Sequence, residues 1–269
     1  MSGSTDAGAA LTIVDGFLPA GGRQLEYRHW RQPDPRGPPL VLLHEGLGSV
    51  AMWKGFPQRV AAHTGCSVFA YSRAGHGRSS PAHLPRTPGY MHPEGLEFLP
   101  VVLDFLNAPA VVLLGHSDGA SIALIHAGGV RDPRMQALIV MAPHVFIESM
   151  CVEQIARARV AYETGDLRSR LSRYHADVDH VFWGWNDIWL DPAFLAWNIE
   201  AYLAEIRMPV LIIQGENDEY GTLAQVHAVR DQVRGGADTL ILPDCGHSPH
   251  RDQPATTLEG IGRFLHALP

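Results

Sequence analysis

The fold is decided by the stretch Val111-Val-Leu-Leu-Gly-His-Ser-Asp-Gly-Ala-Ser-Ile-Ala-Leu-Ile-His126. It starts with four apolar residues, two of them β-branched, which is typical of a short buried strand. Gly115 and Gly119 bound a sharp turn, where the absence of a Cβ lets neighbouring backbone approach closely. An apolar helical segment follows and ends at Gly128-Gly129. The stretch therefore predicts a strand, a tight turn that exposes Ser117, and a helix.

Similar short apolar runs recur on both sides of this stretch and alternate with helical patterns. The predicted strands are an edge strand at 22–30 and buried strands at 40–43, 67–71, 111–114, 137–142, 208–214 and 239–242. Besides the helix after Ser117, the predicted helices cover 52–62, 94–106, 223–233 and 255–268. This alternation predicts an α/β fold, with a mainly parallel central sheet covered by helices on both faces.

One segment interrupts the alternation. Residues 143–207 contain no buried-strand run and instead predict helices at 148–164, 166–174 and 192–204. We therefore expect a core domain formed by 11–142 and 208–269, with 143–207 inserted as a helical lid. The segment holds Trp183, Trp185, Trp189 and Trp197, four of the six tryptophans. We expect most of them to pack inside the lid. Trp183 and Trp185 form a predicted Trp-Gly-Trp turn and could either line a pocket or only pack.

Composition narrows the functional classes. The net charge of −7 gives no basic surface for nucleic acid or for an anionic membrane. Hydrophobic residues make up 46% of the chain and charged residues 18%, which fits a folded domain. The three cysteines are far apart, and no histidine or cysteine spacing is typical of a metal site. Residues 1–10 lack the features of a signal peptide, and we expect a disordered tail there. We expect a cytoplasmic protein that needs no cofactor and acts on a small molecule.

Three polar residues follow three predicted strands, in the chain order Ser117, Asp218 and His247. Ser117 is a weak nucleophile unless a base takes its proton, and the base must be oriented by a carboxylate. Asp218 lies four residues after the strand that ends at Gln214, and His247 lies just after the last strand. Loops at the carboxyl ends of parallel strands lie at one edge of the sheet. The sequence therefore predicts a catalytic triad of Ser117, Asp218 and His247.

Two of these assignments have competitors nearby. Glu216 and Glu219 flank Asp218, but the Gly-x-x-Asp spacing after the strand favours Asp218. His250 competes with His247, which is favoured because it directly follows the Cys-Gly turn at the end of the strand.

An oxyanion hole should accompany this triad. One donor is expected to be the backbone N–H of Asp118, the residue after the nucleophile. The second should come from the loop that follows the strand at 40–43. Leu47 is the preferred donor, with Glu45 and Gly46 as alternatives.

At this point the chain resembles the α/β-hydrolase superfamily of serine hydrolases with a helical lid, over residues 20–269. The resemblance rests on His44-Glu-Gly-Leu-Gly48, Arg73-Ala-Gly-His-Gly-Arg-Ser79, Gly115-His-Ser-Asp-Gly119, Gly215-Glu-Asn-Asp218 and Gly246-His247. Two positions depart from the family pattern. Glu45 separates a His-Gly pair that is adjacent in many relatives, and Ser72 stands where many have an acid.

The resemblance implies a carboxylesterase-like hydrolase that acts on a small or medium carboxylic ester through an acyl-enzyme. A carbon–carbon bond hydrolase of a vinylogous diketone, a thioesterase and a non-catalytic ligand receptor remain alternatives. Ser117 excludes the branches whose elbow carries a carboxylate nucleophile. Asp118 is similar to an acid that binds the substrate amine in relatives that cleave amino-acid esters. We therefore expect Asp118 and Glu45 to favour cationic substrates, unless Asp118 merely caps the helix.

Overall fold

One eight-stranded sheet forms the centre of the protein, which a computed structural model describes over residues 10–268. The strands are β1 (Thr12–Ala20), β2 (Arg23–Arg31), β3 (Leu40–Leu43), β4 (Val68–Tyr71), β5 (Val111–His116), β6 (Met135–Met141), β7 (Val210–Gly215) and β8 (Ala237–Leu242). Their spatial order is β1-β2-β4-β3-β5-β6-β7-β8. β1, β2 and β4 pair antiparallel, and all other pairs are parallel. The predicted mainly parallel sheet is confirmed.

Helices cover both faces of this sheet, as predicted. They are α1 (Phe56–Thr64), α2 (Met91–Pro93), α3 (Leu99–Leu106), α4 (Asp118–Gly129), α5 (Ser149–Thr164), α6 (Leu167–Leu171), α7 (Val178–Trp189), α8 (Glu200–Leu203), α9 (Leu223–Gln232), α10 (Pro249–Asp252) and α11 (Pro254–His266). A π-helical turn at Glu94–Phe98 joins α2 to α3, and 3-10 turns occupy Ala51–Trp53 and Pro192–Ala196.

The sheet separates two apolar cores. In β3, Leu40 and Leu42 face α1 and α11, whereas Val41 and Leu43 face α3, α4 and α9. This alternation follows from the two-residue period of a strand. Because both faces are covered, all four residues of β3 are buried, which explains why the strand is a continuous apolar run.

The segment between β6 and β7 forms the helices α5 to α8, and its apolar side chains join the core on the α4 face. The predicted Trp-Gly-Trp turn is wrong, because Trp183 and Trp185 lie inside α7. Leu84 packs against Gly184, where an added Cβ would lie 2.9 Å from its Cδ2. This packing favours a glycine inside the helix despite its low helix propensity.

The amino-terminal strands also differ from expectation. β1 was not predicted, because only two of its nine residues are buried and Gly16 and Pro19 weaken the strand pattern. It pairs antiparallel with β2 along its whole length. The edge of the sheet is therefore β1, and β2, the predicted edge strand, lies between β1 and β4.

Two further predictions concern the chain as a whole. Across residues 10–268 no helix is long and apolar enough to span a lipid bilayer. The predicted tail falls on residues 1–9, outside the described part of the chain, and on Ala10 just before β1.

Candidate active site

Ser117 lies between the end of β5 and the start of α4, in a strained conformation. Its φ of 53° and ψ of −120° are unfavourable for a residue with a side chain, at a cost of about 1–3 kcal/mol. The strain is held by close packing, because a Cβ on Gly119 would overlap the backbone carbonyl groups of Leu43 and His44. The glycine that follows the turn thus lets α4 approach the end of β3, and Ser117 sits above the carboxyl edge of the sheet.

The structure brings together the three side chains predicted as a triad. Ser117 Oγ is 2.9 Å from His247 Nε2. On the other side of the ring, His247 Nδ1 is 2.9 Å from both carboxylate oxygens of Asp218. Since Nδ1 faces a carboxylate, this nitrogen carries the proton and Nε2 is free to accept one from the serine.

Asp218 is fixed in turn by its own hydrogen bonds. Gln214 Nε2 donates to Oδ2 at 2.7 Å, and the backbone N–H of Tyr220 donates to Oδ1 at 2.8 Å. Burial alone would raise the pKa of Asp218, but His247 and the hydrogen bond from the Tyr220 N–H hold it below its ordinary value. Asp218 in turn overcomes the effect of burial on His247 and raises the pKa of that imidazole.

The competing residues lie elsewhere. Glu216 is exposed, and Glu219 accepts a hydrogen bond from the backbone N–H of His247 at 3.2 Å rather than from its ring. His250 packs between Trp53 and Phe56, with ring centroids 5.1 Å from each. Burial lowers the pKa of His250 well below the usual range.

The carbonyl oxygens of residues 44–47 contact side chains from other parts of the chain. The Arg73 guanidinium donates to the carbonyl oxygens of His44 and Glu45. His76 Nε2 lies 3.0 Å from the Gly46 oxygen, and His175 Nε2 lies 2.9 Å from the Leu47 oxygen. Burial lowers the pKa of His76 and of His175, so both rings are neutral donors. Within the described residues, the backbone N–H groups of Gly46 and Leu47 donate to no protein atom.

The backbone N–H of Asp118 is free in the same sense, because it belongs to the first turn of α4. The structure thus leaves unpaired N–H groups on both sides of Ser117. The sequence motif around Arg73 does not by itself indicate that this side chain holds the 44–48 loop. Arg73 holds the 44–48 loop by donating hydrogen bonds to carbonyl oxygens of the loop. The backbone N–H groups of Gly46 and Leu47 therefore stay available.

A cavity of about 270 Å³ opens above Ser117, between the sheet and the helical insert. Its apolar wall is formed by Met52, Ile155, Leu167, Leu171, Trp185 and Trp189. Trp185 lies against the 44–48 loop, where an added Cβ on Gly46 would overlap its indole ring. Of the two alternatives left open for Trp183, the structure shows packing, because Trp183 is not among the residues that line this cavity. Trp183 instead packs on Phe182 and Tyr162 and lies under the Arg159 guanidinium, 5.5 Å from it.

Comparison with known proteins identifies the family. Residues 40–259 match the model of the alpha/beta hydrolase family. The chain belongs to this family. Along 96% of its length the hydrolase is 24% identical to a proline iminopeptidase of Levilactobacillus brevis, of which it covers 98%.

Solved structures agree on the fold. A proline iminopeptidase of Mycobacterium smegmatis superposes with a TM-score of 0.73 at 18% identity, over 94% of this chain and 98% of that one. An enol-lactonase of Burkholderia xenovorans LB400 gives a TM-score of 0.73 at 20% identity, over 93% of this chain and all of the other.

Asp118 of this hydrolase does not cap α4. Its carboxylate accepts a hydrogen bond from the Tyr90 hydroxyl at 2.6 Å, and Trp189 Nε1 donates to the same hydroxyl at 3.0 Å. Arg73 Nη2 lies 3.9 Å from the same oxygen of Asp118, Oδ2. Burial raises the pKa of Asp118. Because neighbouring groups already compensate this carboxylate, the expectation that it attracts a substrate cation is weakened. No sequence signal pointed to Tyr90.

Glu45 is the better-placed acid of the expected pair. It lines the cavity, and its carboxylate lies 3.7 Å from His116 Nδ1. Burial would raise the pKa of Glu45, but His116 and His250 lower it to about 2, so the group is ionised at neutral pH. His116, which directly precedes Ser117, also contacts the His247 carbonyl oxygen through Nε2 at 2.7 Å.

Among residues 10–268, histidine, cysteine and acidic side chains do not gather into a group of three or more that could hold a metal ion.

Proposed function

We propose that the protein is a serine hydrolase that cleaves small or medium carboxylic esters through an acyl-enzyme at Ser117. The observation that carries the proposal is the unbroken contact chain from Ser117 Oγ through His247 to Asp218, with each distance at 2.9 Å. Among the described residues that line the cavity, no other set joins a nucleophile, a base and an orienting carboxylate in one chain of hydrogen-bond contacts.

In the first step, His247 Nε2 accepts the Ser117 proton while Oγ attacks the ester carbonyl carbon. The Asp218 carboxylate stabilises the imidazolium that forms and holds the ring in place. The oxyanion accepts hydrogen bonds from the Asp118 N–H and from one N–H of the 44–48 loop, with Leu47 preferred. His247 then protonates the alcohol, which leaves. In the second step, water loses a proton to His247, attacks the acyl carbon and releases the carboxylic acid and Ser117.

The cavity supports a small substrate. Its volume of about 270 Å³ lies just below the usual range of about 300–1,000 Å³ for ligand pockets. The wall is mainly apolar, so it favours a hydrocarbon acyl or alcohol group. We propose that residues 143–207 act as a lid, since α5, α6 and α7 supply most of this wall and the cavity lies beneath them.

Turnover of p-nitrophenyl esters tests the proposal. We expect hydrolysis of acetate and butyrate esters that falls by at least about 10³-fold in Ser117→Ala, and labelling of the wild type by a fluorophosphonate that the variant loses. Comparing kcat/KM for an ester, a thioester and a vinylogous diketone shows which of the three bonds the protein cleaves most efficiently. Absent labelling, or turnover that survives Ser117→Ala, would contradict the proposal and favour a ligand receptor on this fold.

A peptidase acting on an amino-terminal proline is the second candidate. It is favoured by the full-length relative of that name and by two acids at the cavity, the ionised Glu45 and the exposed Glu219. A carboxylate at this position could pair with the substrate's charged imino group. To test this candidate, hydrolysis of proline p-nitroanilide, an amide, is compared with hydrolysis of proline p-nitrophenyl ester. If Glu45→Gln reduces kcat/KM for the proline ester but not for p-nitrophenyl acetate, the acid recognises the cation.

A further inference from the structure

A second cavity lies behind the nucleophile, on the other side of the Tyr90–Asp118 hydrogen bond. Its volume is about 220 Å³, and it shares no lining residue with the cavity above Ser117. Three arginines line it: Arg23, Arg73 and Arg86. Glu94 is the one acidic residue of the wall. The lining is therefore strongly cationic, although the chain as a whole is acidic.

The arginines are held in place but not neutralised. The Arg86 guanidinium lies over the Tyr90 ring and the Arg23 guanidinium over the Phe98 ring, each 4.8 Å from the ring centroid. Stacking uses the faces of these groups and leaves the N–H edges free. In the part of the chain that is described, neither Arg23 nor Arg86 forms an ion pair with a carboxylate.

A further feature of the cavity is an unpaired guanidinium nitrogen. Arg86 Nη1 is buried and has no hydrogen-bond partner among residues 10–268. Buried charged donors without a partner are rare, because each loses its hydration without compensation. Glu94 is the one carboxyl group that lines the cavity together with three arginines, and burial raises the pKa of that group above the ordinary value.

We propose that this cavity binds a small oxyanion, a carboxylate or a phosphate, through Arg86 and Arg23. A guanidinium binds two oxygens of such an anion with parallel N–H groups, which no halide can match. Arg73 supplies further positive charge at the back of the cavity, but its N–H groups already hold the 44–48 loop. Binding here does not depend on which bond is cleaved at Ser117.

Thermal unfolding of the full chain tests the site in sodium phosphate, sodium acetate and sodium chloride at equal ionic strength. We expect phosphate, acetate or both to raise Tm in a saturable way relative to chloride. The salt that saturates at the lower concentration identifies the ligand as phosphate or carboxylate. In Arg86→Gln the half-saturating concentration should rise at least about tenfold, because a charge-assisted pair is lost. Arg173→Gln, at an exposed arginine outside the cavity, should behave as the wild type.

Arg23→Gln provides a second variant at the same cavity, should Arg86→Gln fail to fold, and it should also weaken the effect. Equal Tm values in all three salts would overturn the proposal. So would an oxyanion effect that remains unchanged in both cavity variants.

Discussion

Removing one hydroxyl, in Tyr90→Phe, should destabilise the protein far more than the loss of one ordinary hydrogen bond. The Tyr90 hydroxyl accepts from Trp189 Nε1 and donates to Asp118 Oδ2. Asp118 is 1% exposed, and its Oδ1 already lacks a partner among the described residues. Without the hydroxyl, the ion-pair partner left to this carboxylate among the described residues is Arg73, 3.9 Å away.

The expected magnitude follows from the two groups left unpaired. A buried donor or acceptor without a partner costs about 1–3 kcal/mol, and a charged one costs more. The Trp189 indole N–H and the Asp118 carboxylate both lose their partner in Tyr90→Phe. We therefore expect a loss of about 3–5 kcal/mol in the free energy of unfolding.

Urea unfolding followed by far-UV circular dichroism measures this loss, provided that the slope m is unchanged. Tyr71→Phe is a control, because Tyr71 is even more deeply buried than Tyr90 but its hydroxyl has no partner in the described residues. It should change stability by less than about 1 kcal/mol. The double variant Tyr90→Phe with Asp118→Asn should lose less than the sum of the single losses. If Tyr90→Phe costs no more than Tyr71→Phe, the reasoning is refuted.

Three further predictions concern the proposed chemistry, the packing below Ser117 and the wall of the cavity. First, kcat/KM should rise with pH through an apparent pKa above 6.5, because Asp218 raises the pKa of His247 and only the neutral imidazole accepts a proton. Asp218→Asn should move this limb to lower pH and reduce kcat by about 10⁴-fold. Second, Gly119→Ala should cost about 3 kcal/mol or more in unfolding free energy, because its Cβ would overlap backbone. Third, Trp185→Ala should change the preference for ester chain length, whereas Trp183→Ala should not, as kcat/KM across a series of esters would measure.

Each of these three predictions has a clear contrary result. A pH profile whose limb lies at or below 6.5 would show that Asp218 does not raise the pKa of His247. Gly89→Ala is a control for Gly119→Ala, because the nearest atom to an added Cβ there is 3.8 Å away. Equal stability of the two variants would contradict the packing argument. A chain-length preference that follows Trp183 instead would contradict the observed lining.

The sequence was most informative where local pattern and tertiary environment agree. β3 and β5 are buried on both faces, so each contains a continuous apolar run, and this run predicts a buried strand at the correct place. The positions of Ser117, Asp218 and His247 could be predicted because each follows the carboxyl end of a parallel strand. Parallel pairing of β5, β7 and β8 in one sheet then brings these loops to one edge.

Prediction failed where packing between remote segments decides. β1 is mostly exposed and gains its conformation from pairing with β2. Gly184 indicates a turn by local propensity, but contact with Leu84 favours the helix. Which of Trp183 and Trp185 faces the cavity depends on how α7 is rotated against α5 and the sheet. No local pattern encodes that rotation, since both residues lie next to apolar neighbours.

The residue after the nucleophile shows most clearly what such remote packing contributes. A carboxylate at Asp118 would oppose an oxyanion forming beside its own backbone N–H, because like charges repel strongly in a buried site. Arg73 and Tyr90 compensate that carboxylate, each through a contact with Oδ2. Arg73 also fixes the loop that faces Ser117. One arginine therefore balances the charge behind the proposed oxyanion hole and positions the loop of its second donor, and both roles arise only when residues from four separate segments meet.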